Sequence, residues 1–118
     1  MKNRFVFRLG ELFCGPGGIA YGAMKAKSND GRLSIEHTWD NDYDHDTCET
    51  YKKNICPYEP HTVYCCDVRE IDIKSLGEID AFCYGFPCNS FSSVGEHKGI
   101  ANEKFGQLSS SGRFLKAW

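Results

Sequence analysis

The sequence predicts an α/β fold on a parallel sheet, and three observations carry that expectation. Short apolar runs alternate with helical stretches in the order strand, helix, strand, helix, strand, strand. The last run, Ala81-Phe82-Cys83-Tyr84, is apolar throughout, as suits a strand buried on both faces. The residues of chemical interest fall just after strands, where open α/β sheets bind their ligands.

Residues 5–14 read as the first strand, with Phe5, Val6, Phe7, Leu9, Leu12 and Phe13 as its apolar positions. Gly15-Pro16-Gly17-Gly18 follows as a loop, and a helix runs from Ile19 to about Lys27. Ser28-Asn29-Asp30-Gly31 is a turn. Residues 33–40 form the second strand. A helix over 44–54 opens on Asp44 as its N-cap, with Pro57 and Pro60 closing the segment. Residues 62–66 give the third strand, 69–76 a short helical or irregular link, and 79–84 the fourth strand. That strand is expected beside the first, with its other edge open. Residues 86–103 form a loop rich in Ser and Gly, and 103–118 one last helix, interrupted by Ser109-Ser110-Ser111-Gly112.

The 118 residues suffice for one domain with one modest core. An apolar share of 41% and a charged share of 25% belong to a soluble globular chain, which excludes collagen-like, coiled-coil and disordered classes. No stretch approaches the roughly 20 apolar residues of a membrane span. The start lacks a signal peptide's apolar run, so the chain reads as cytoplasmic. Net charge is −2, from 14 basic and 16 acidic residues, so any strong grip on nucleic acid must come from elsewhere. The seven cysteines are an odd count with no C-x-x-C pair, which argues against a disulfide framework or zinc knuckle. Each reads as a small buried hydrophobe, Cys88 excepted.

Four segments carry chemistry. Glu11 to Gly18 places glycines between a strand and a helix; close backbone approach and a helix N-terminus suit a carboxylate as well as a phosphate. A plain tight turn is the alternative, and the spacing departs from that of dinucleotide binders. Asp42-Tyr43 ends the second strand: the carboxylate can accept from two ribose hydroxyls and the ring can stack on a purine. A solvated acidic loop is the alternative, because residues 40–46 read DNDYDHD. A metal reading of this run with His45 lacks the Gly and terminal Glu of a calcium loop, and no metal site is expected. Asp67-Val68 ends the third strand, where Asp67 suits either an adenine amino group or a helix N-cap. Phe86-Pro87-Cys88-Asn89-Ser90-Phe91-Ser92 sets a cysteine after a stiffened turn, as a nucleophilic thiolate requires.

Together these segments resemble the DNA cytosine-5 methyltransferase family across almost the whole chain. ELFCGPGG is similar to its S-adenosylmethionine loop, and GFPCNSFSSVGEHKG to its catalytic loop. The resemblance implies the N-terminal half of a Rossmann-like methyltransferase fold, with about four parallel strands and flanking helices. It implies that Cys88 attacks carbon 6 of a cytosine flipped from double-stranded DNA, so that carbon 5 takes the methyl group. By the same resemblance Phe13, Cys14, Gly15, Pro16, Gly17, Gly18 and Ile19 hold the methionine part of the cofactor. Asp42 takes the ribose, Tyr43 the adenine face, and Asp67 and Val68 the adenine edge. Pro87 shapes the pocket, Phe86 and Asn89 meet the substrate, and Ser92 meets a DNA phosphate. The loop over 93–102 closes with Gly95 and Gly99 as hinges.

Asn89 stands where the family usually has Gln. The family's Glu-Asn-Val and Gln-x-Arg-x-Arg motifs and its target-recognition domain are not found in the 118 residues. The expectation is therefore a partial catalytic domain over 1–118, inactive alone, from a restriction–modification or solitary methylase. The alternatives are one subunit of a split enzyme whose second chain supplies the missing motifs, or a non-catalytic S-adenosylmethionine-binding or interaction fragment. The nucleotide-binding half of a dehydrogenase leaves the Pro-Cys loop without a purpose.

Overall fold

A computed structural model describes residues 3–85. The loop and helix read over 86–118 lie outside the described residues, and with them Phe86, Pro87, Cys88, Asn89 and Ser92.

Four strands form one sheet: β1 (Phe5–Leu12), β2 (Leu33–Asp42), β3 (Val63–Cys65) and β4 (Ala81–Tyr84). Their spatial order is β3-β2-β1-β4, and every pairing is parallel. The chain steps outward from β1 to β3, then returns to lay β4 on the other side of β1. That reversal creates a switch point between β1 and β4 at the carboxyl ends of the strands.

Helix α1 (Gly18–Lys25) joins β1 to β2, and α2 (His45–Asn54) joins β2 to β3. Ala20 of α1 and Cys48 and Tyr51 of α2 share one core cluster with Cys14, Ile55, Cys56 and Val63, so both helices cover the same face. On the opposite face Leu12 and Trp39 pack with Val68 and Ile71 of the link to β4. That link is two short 3-10 turns, Val68–Glu70 and Ile73–Ser75. Among the described residues no helix is long and apolar enough to cross a membrane.

The caps follow the local sequence. Asp44 accepts from the backbone N–H of Thr47 (2.9 Å), holding the first turn of α2 as an N-cap does. The turn before β2 closes with Gly31 donating to the carbonyl of Ser28 (2.9 Å), at a φ of +72° that glycine tolerates.

Gly10 answers a different demand. The β1–β2 register slips between Leu9 and Gly10, and a Cβ at Gly10 would come within 2.7 Å of the Trp39 ring. The missing side chain lets the indole lie across β1, reach Phe82 and donate from Nε1 to the Gly77 carbonyl (3.0 Å).

Two expectations change. Strand β2 runs two residues further than read, to Asp42, so the first half of the acidic run is sheet. Strand β4 is half-buried with Tyr84 exposed, and among the described residues it stands at one end of the strand order, beside β1, so its apolar run is not covered on both faces there.

Candidate functional site

The carboxyl ends of β1 and β2 gather the polar residues. Strand β1 delivers Glu11 and the loop from Phe13 to Gly17, and β2 delivers Asp40, Asn41 and Asp42. The loop takes a positive φ at every second residue: Phe13 (55°), Gly15 (61°) and Gly17 (107°). Glycine adopts that region freely, whereas Phe13 holds it at about 1 kcal/mol or more. Gly17 is needed twice over, since a Cβ there would meet Ile55 at 2.8 Å and Tyr51 at 3.1 Å. It brings the start of α1 against α2. Beside Gly15 and Gly18 an added Cβ would meet nothing within 4 Å, so both present bare backbone to open space. The N-terminus of α1 has no side-chain cap, which leaves its first N–H groups open to a ligand.

Asp42 fixes this loop. Its Oδ2 accepts from the backbone N–H of Gly15 (3.0 Å), and its Oδ1 from that of Asp44 (3.1 Å). Each oxygen keeps a further lone pair for an outside donor. Tyr43 projects next to it, 76% exposed. Phe13 is half-buried against the Leu12–Trp39 cluster, while Pro16 and Ile19 are exposed.

Asp67 is engaged more locally. Its carboxylate caps the 3-10 turn at the N–H of Arg69 (2.9 Å) and pairs with that residue's guanidinium (2.9 and 2.6 Å). The hydrogen bond and charge of Arg69 hold its pKa down at about 2. Of the two readings of Asp67, the cap is the one with a partner in place. Val68 spends its side chain on the core.

Beneath the loop lies a buried polar layer that sequence reasoning missed. Glu11 and Asp40 are register partners on adjacent strands, 1% and 0% exposed. The Cys14 thiol donates to Asp40 Oδ2 (2.7 Å), and Oδ1 of the same carboxyl has no hydrogen-bond partner. Burial pushes the Asp40 pKa up to about 7, against the pull of the Cys14 hydrogen bond. Burial, then the charge of Asp40, raises the Cys14 thiol far from reactivity. Asn41 donates to the carbonyls of Tyr64 (2.6 Å) and Cys66 (2.9 Å), binding β3 to β2 beyond their short ladder.

The second half of this layer is a chain of contacts. Tyr51 Oη lies 3.0 Å from Glu11 Oε1 and 3.0 Å from His37 Nδ1. His37 Nε2 lies 2.7 Å from Thr62 Oγ1, which donates to the Glu59 carbonyl (2.7 Å). Tyr51 Oη donates to Glu11 Oε1, and the roles of the two His37 ring nitrogens follow its tautomer. Burial raises the Glu11 pKa against the pull of the Tyr51 hydrogen bond, and burial lowers that of His37. The available signal was polar residues at a strand end: His37 and Asp40 fall within the strand read over 33–40 and Asn41 just past it, but residue type alone does not mark them as buried.

The cysteines divide. Cys14, Cys48 and Cys56 are buried as expected, and Cys66 and Cys83 are half-buried, but Cys65 is exposed. It ends β3, where the sheet gives out. Among the described residues no three His, Cys, Asp or Glu side chains converge to hold a metal.

Comparison with known proteins completes the description. Residues 7–116 match the family model for C-5 cytosine-specific DNA methylase. Over 114 residues the chain is 56% identical to the type II methyltransferase M.BbvI of Brevibacillus brevis, covering 90% of this chain and 30% of that protein. It is 32% identical to M.Bsp6I of Bacillus sp. (strain RFL6), over 87% of this chain and 30% of the relative. It is 30% identical to M.NgoFVII of Neisseria gonorrhoeae, over 91% and 26%. The chain thus spans about 30% of the length of the curated relatives it matches.

Proposed function

The chain belongs to the C-5 cytosine-specific DNA methylase family, and from that premise we propose that it is the cofactor-binding and nucleophile-bearing part of a DNA cytosine-5 methyltransferase of the restriction–modification type. The observation that carries the cofactor assignment is the Asp42 carboxylate clamped to Gly15 beneath an open glycine backbone, with exposed Tyr43 beside it.

The residues present suit S-adenosylmethionine. Gly18 and Ile19 offer main-chain N–H donors at the uncapped start of α1, Gly15 and Pro16 leave open space for the methionine part, and Phe13, Cys14 and Gly17 hold the loop's shape. Asp42 keeps lone pairs for the ribose hydroxyls, and Tyr43 offers a free face to adenine. For the adenine edge, Asp67 would have to share a carboxylate already paired with Arg69. When bound, S-adenosylmethionine supplies the methyl group.

Double-stranded DNA is the substrate. Cys88, as thiolate, adds to carbon 6 of a flipped cytosine and makes carbon 5 nucleophilic; loss of the carbon-5 proton then expels the thiolate. Pro87 shapes the pocket, Phe86 and Asn89 border the base, and Ser92 meets a phosphate. The buried Cys14 thiol is unsuited to this role, because burial, then the neighbouring Asp40, keeps it protonated.

Calorimetric titration of the full 118-residue chain with S-adenosylhomocysteine tests the reading. Saturable binding is expected, weakened at least about tenfold by Asp42→Ala through loss of one or two charge-assisted hydrogen bonds. A chain that is folded by circular dichroism yet takes up no ligand overturns the cofactor site.

A further inference from the structure

Two thiols lean on the turn that carries Asp42 and Tyr43. Cys48, on the first half of α2, is fully buried and donates from Sγ to the Asp42 carbonyl (3.4 Å). Cys65, the last residue of β3 and the register partner of Asp42, is exposed, and its Sγ lies 4.0 Å from the Tyr43 carbonyl. The two side chains therefore approach consecutive carbonyls of one turn, from a helix and from a strand. They also feel each other: after burial, the hydrogen bond and charge of Cys65 are what raise the Cys48 thiol. Strand alternation separates Cys65 from its neighbour, because Cys66 packs with the cluster on the opposite face of the sheet.

We propose that Cys48 and Cys65 form a redox-active dithiol that a small disulfide converts to an intramolecular bridge across the Asp42–Tyr43 turn. Exposure sets the order of events. The Cys65 thiol loses its proton and its sulfur attacks one sulfur of the small disulfide; that S–S bond breaks, and the departing thiolate takes up a proton. Cys65 is left in a mixed disulfide. Cys48, whose thiol pKa is raised by burial and then by Cys65, gives up its proton only as its sulfur attacks Cys65 Sγ, so this second step is the slow one. It forms the bridge and releases the second small thiol, which is protonated in turn. Two protein thiols are oxidised, one small disulfide is reduced to two thiols, and two protons pass between them.

The bridge removes both S–H groups from the carbonyls of Asp42 and Tyr43. The turn that presents a carboxylate and an aromatic face then loses two supports. Two weak hydrogen bonds correspond to roughly fivefold in affinity. This affinity arm rests on the cofactor reading above; formation of the bridge does not.

The experiment treats the full chain with glutathione disulfide, maps unreduced peptides by mass spectrometry, and titrates S-adenosylhomocysteine before treatment, after it, and after dithiothreitol. The expected result is a linked Cys48–Cys65 peptide pair, about fivefold weaker binding, and recovery on reduction. Cys65→Ser, which keeps a hydroxyl donor for the turn, should form no such pair and bind equally with and without the oxidant. A persistent glutathione adduct at Cys65, or linkage of Cys65 to Cys66 instead, overturns the dithiol. A bridged chain with unchanged affinity overturns the coupling. A reduced chain that binds no ligand counts against the cofactor site, and the peptide map still decides the bridge.

Discussion

The two ends of the sheet invert the usual distribution of polarity. At the amino ends of β1 and β2, Phe5, Val6, Phe7 and Leu33 are exposed, Phe5 by 62%. At the carboxyl ends Glu11, Asp40 and Asn41 are buried almost completely. Burying apolar area stabilises by about 25 cal/mol per Å², and burying an unpaired polar group opposes folding by a few kcal/mol. The amino end forgoes the first gain and the carboxyl end accepts the second penalty. The difference shows where the sequence answers to packing and where to chemistry. A carboxyl group without a second partner, a phenylalanine at positive φ and an uncapped helix all stand within the few residues that frame the glycine loop.

Substitutions at the two ends should separate them. The largest effect is expected from Gly17→Ala, which puts a Cβ at 2.8 Å from Ile55 on a residue whose φ is 107°. Backbone strain and overpacking together should cost about 3–5 kcal/mol in urea unfolding. A loss below 1 kcal/mol would show that the start of α1 moves freely against α2, and that the carboxyl end is less tightly built than described.

The Asp40 carboxyl comes next. Above pH 4 the unfolded chain has released this proton, while the native chain holds it until about pH 7. The native state therefore binds more protons across that window, and stability falls as pH rises from 4 to 7. Glu11 acts in the same direction, and His37, whose pKa is lowered by burial, opposes it below pH 6.5. Asp67 and Asp80, both held near pH 2 by arginine partners, lose their stabilisation only below pH 4. Asp40→Asn should raise stability at pH 8 by about 2–4 kcal/mol and flatten the slope between pH 4 and 7. An unchanged slope in urea midpoints would mean that Asp40 is not the proton holder. The smallest effect belongs to the other end: Phe5→Ser should shift stability by less than about 0.5 kcal/mol, because the ring is already in water.

Much of this was legible in advance. The parallel sheet follows from alternating apolar and helical runs, the place of β4 beside β1 was expected, and the Asp44 cap follows from one residue before a helix. The glycine loop was readable because its residues have few other uses. The buried layer was not, because Asp40 and Asn41 carry no local mark that distinguishes a solvated loop from a strand end; only the pairing of β1 with β2 buries them. Strand β4 differs in the opposite sense: its side chains are apolar enough for an interior strand, while among the described residues it has one neighbour, β1. Asp67 fitted two roles by type, and Arg69, two residues on, supplied the partner of one.

The Arg8–Asp80 contact has a consequence of another kind. Asp80 accepts from the backbone N–H of Arg8 (2.9 Å) and from its guanidinium (2.9 and 3.0 Å), and its own N–H donates to the Arg8 carbonyl (2.8 Å). These bonds join positions 72 residues apart and start the pairing of β4 with β1. Loop-closure entropy is smaller for the nearer contacts, so the β1-α1-β2 unit is expected to assemble before β4 joins it, which the protection of each strand in pulsed hydrogen exchange would check. Chain entropy thus favours one order of assembly, in which the strand leading into Pro87-Cys88 docks on a cradle already in place beneath the glycine loop.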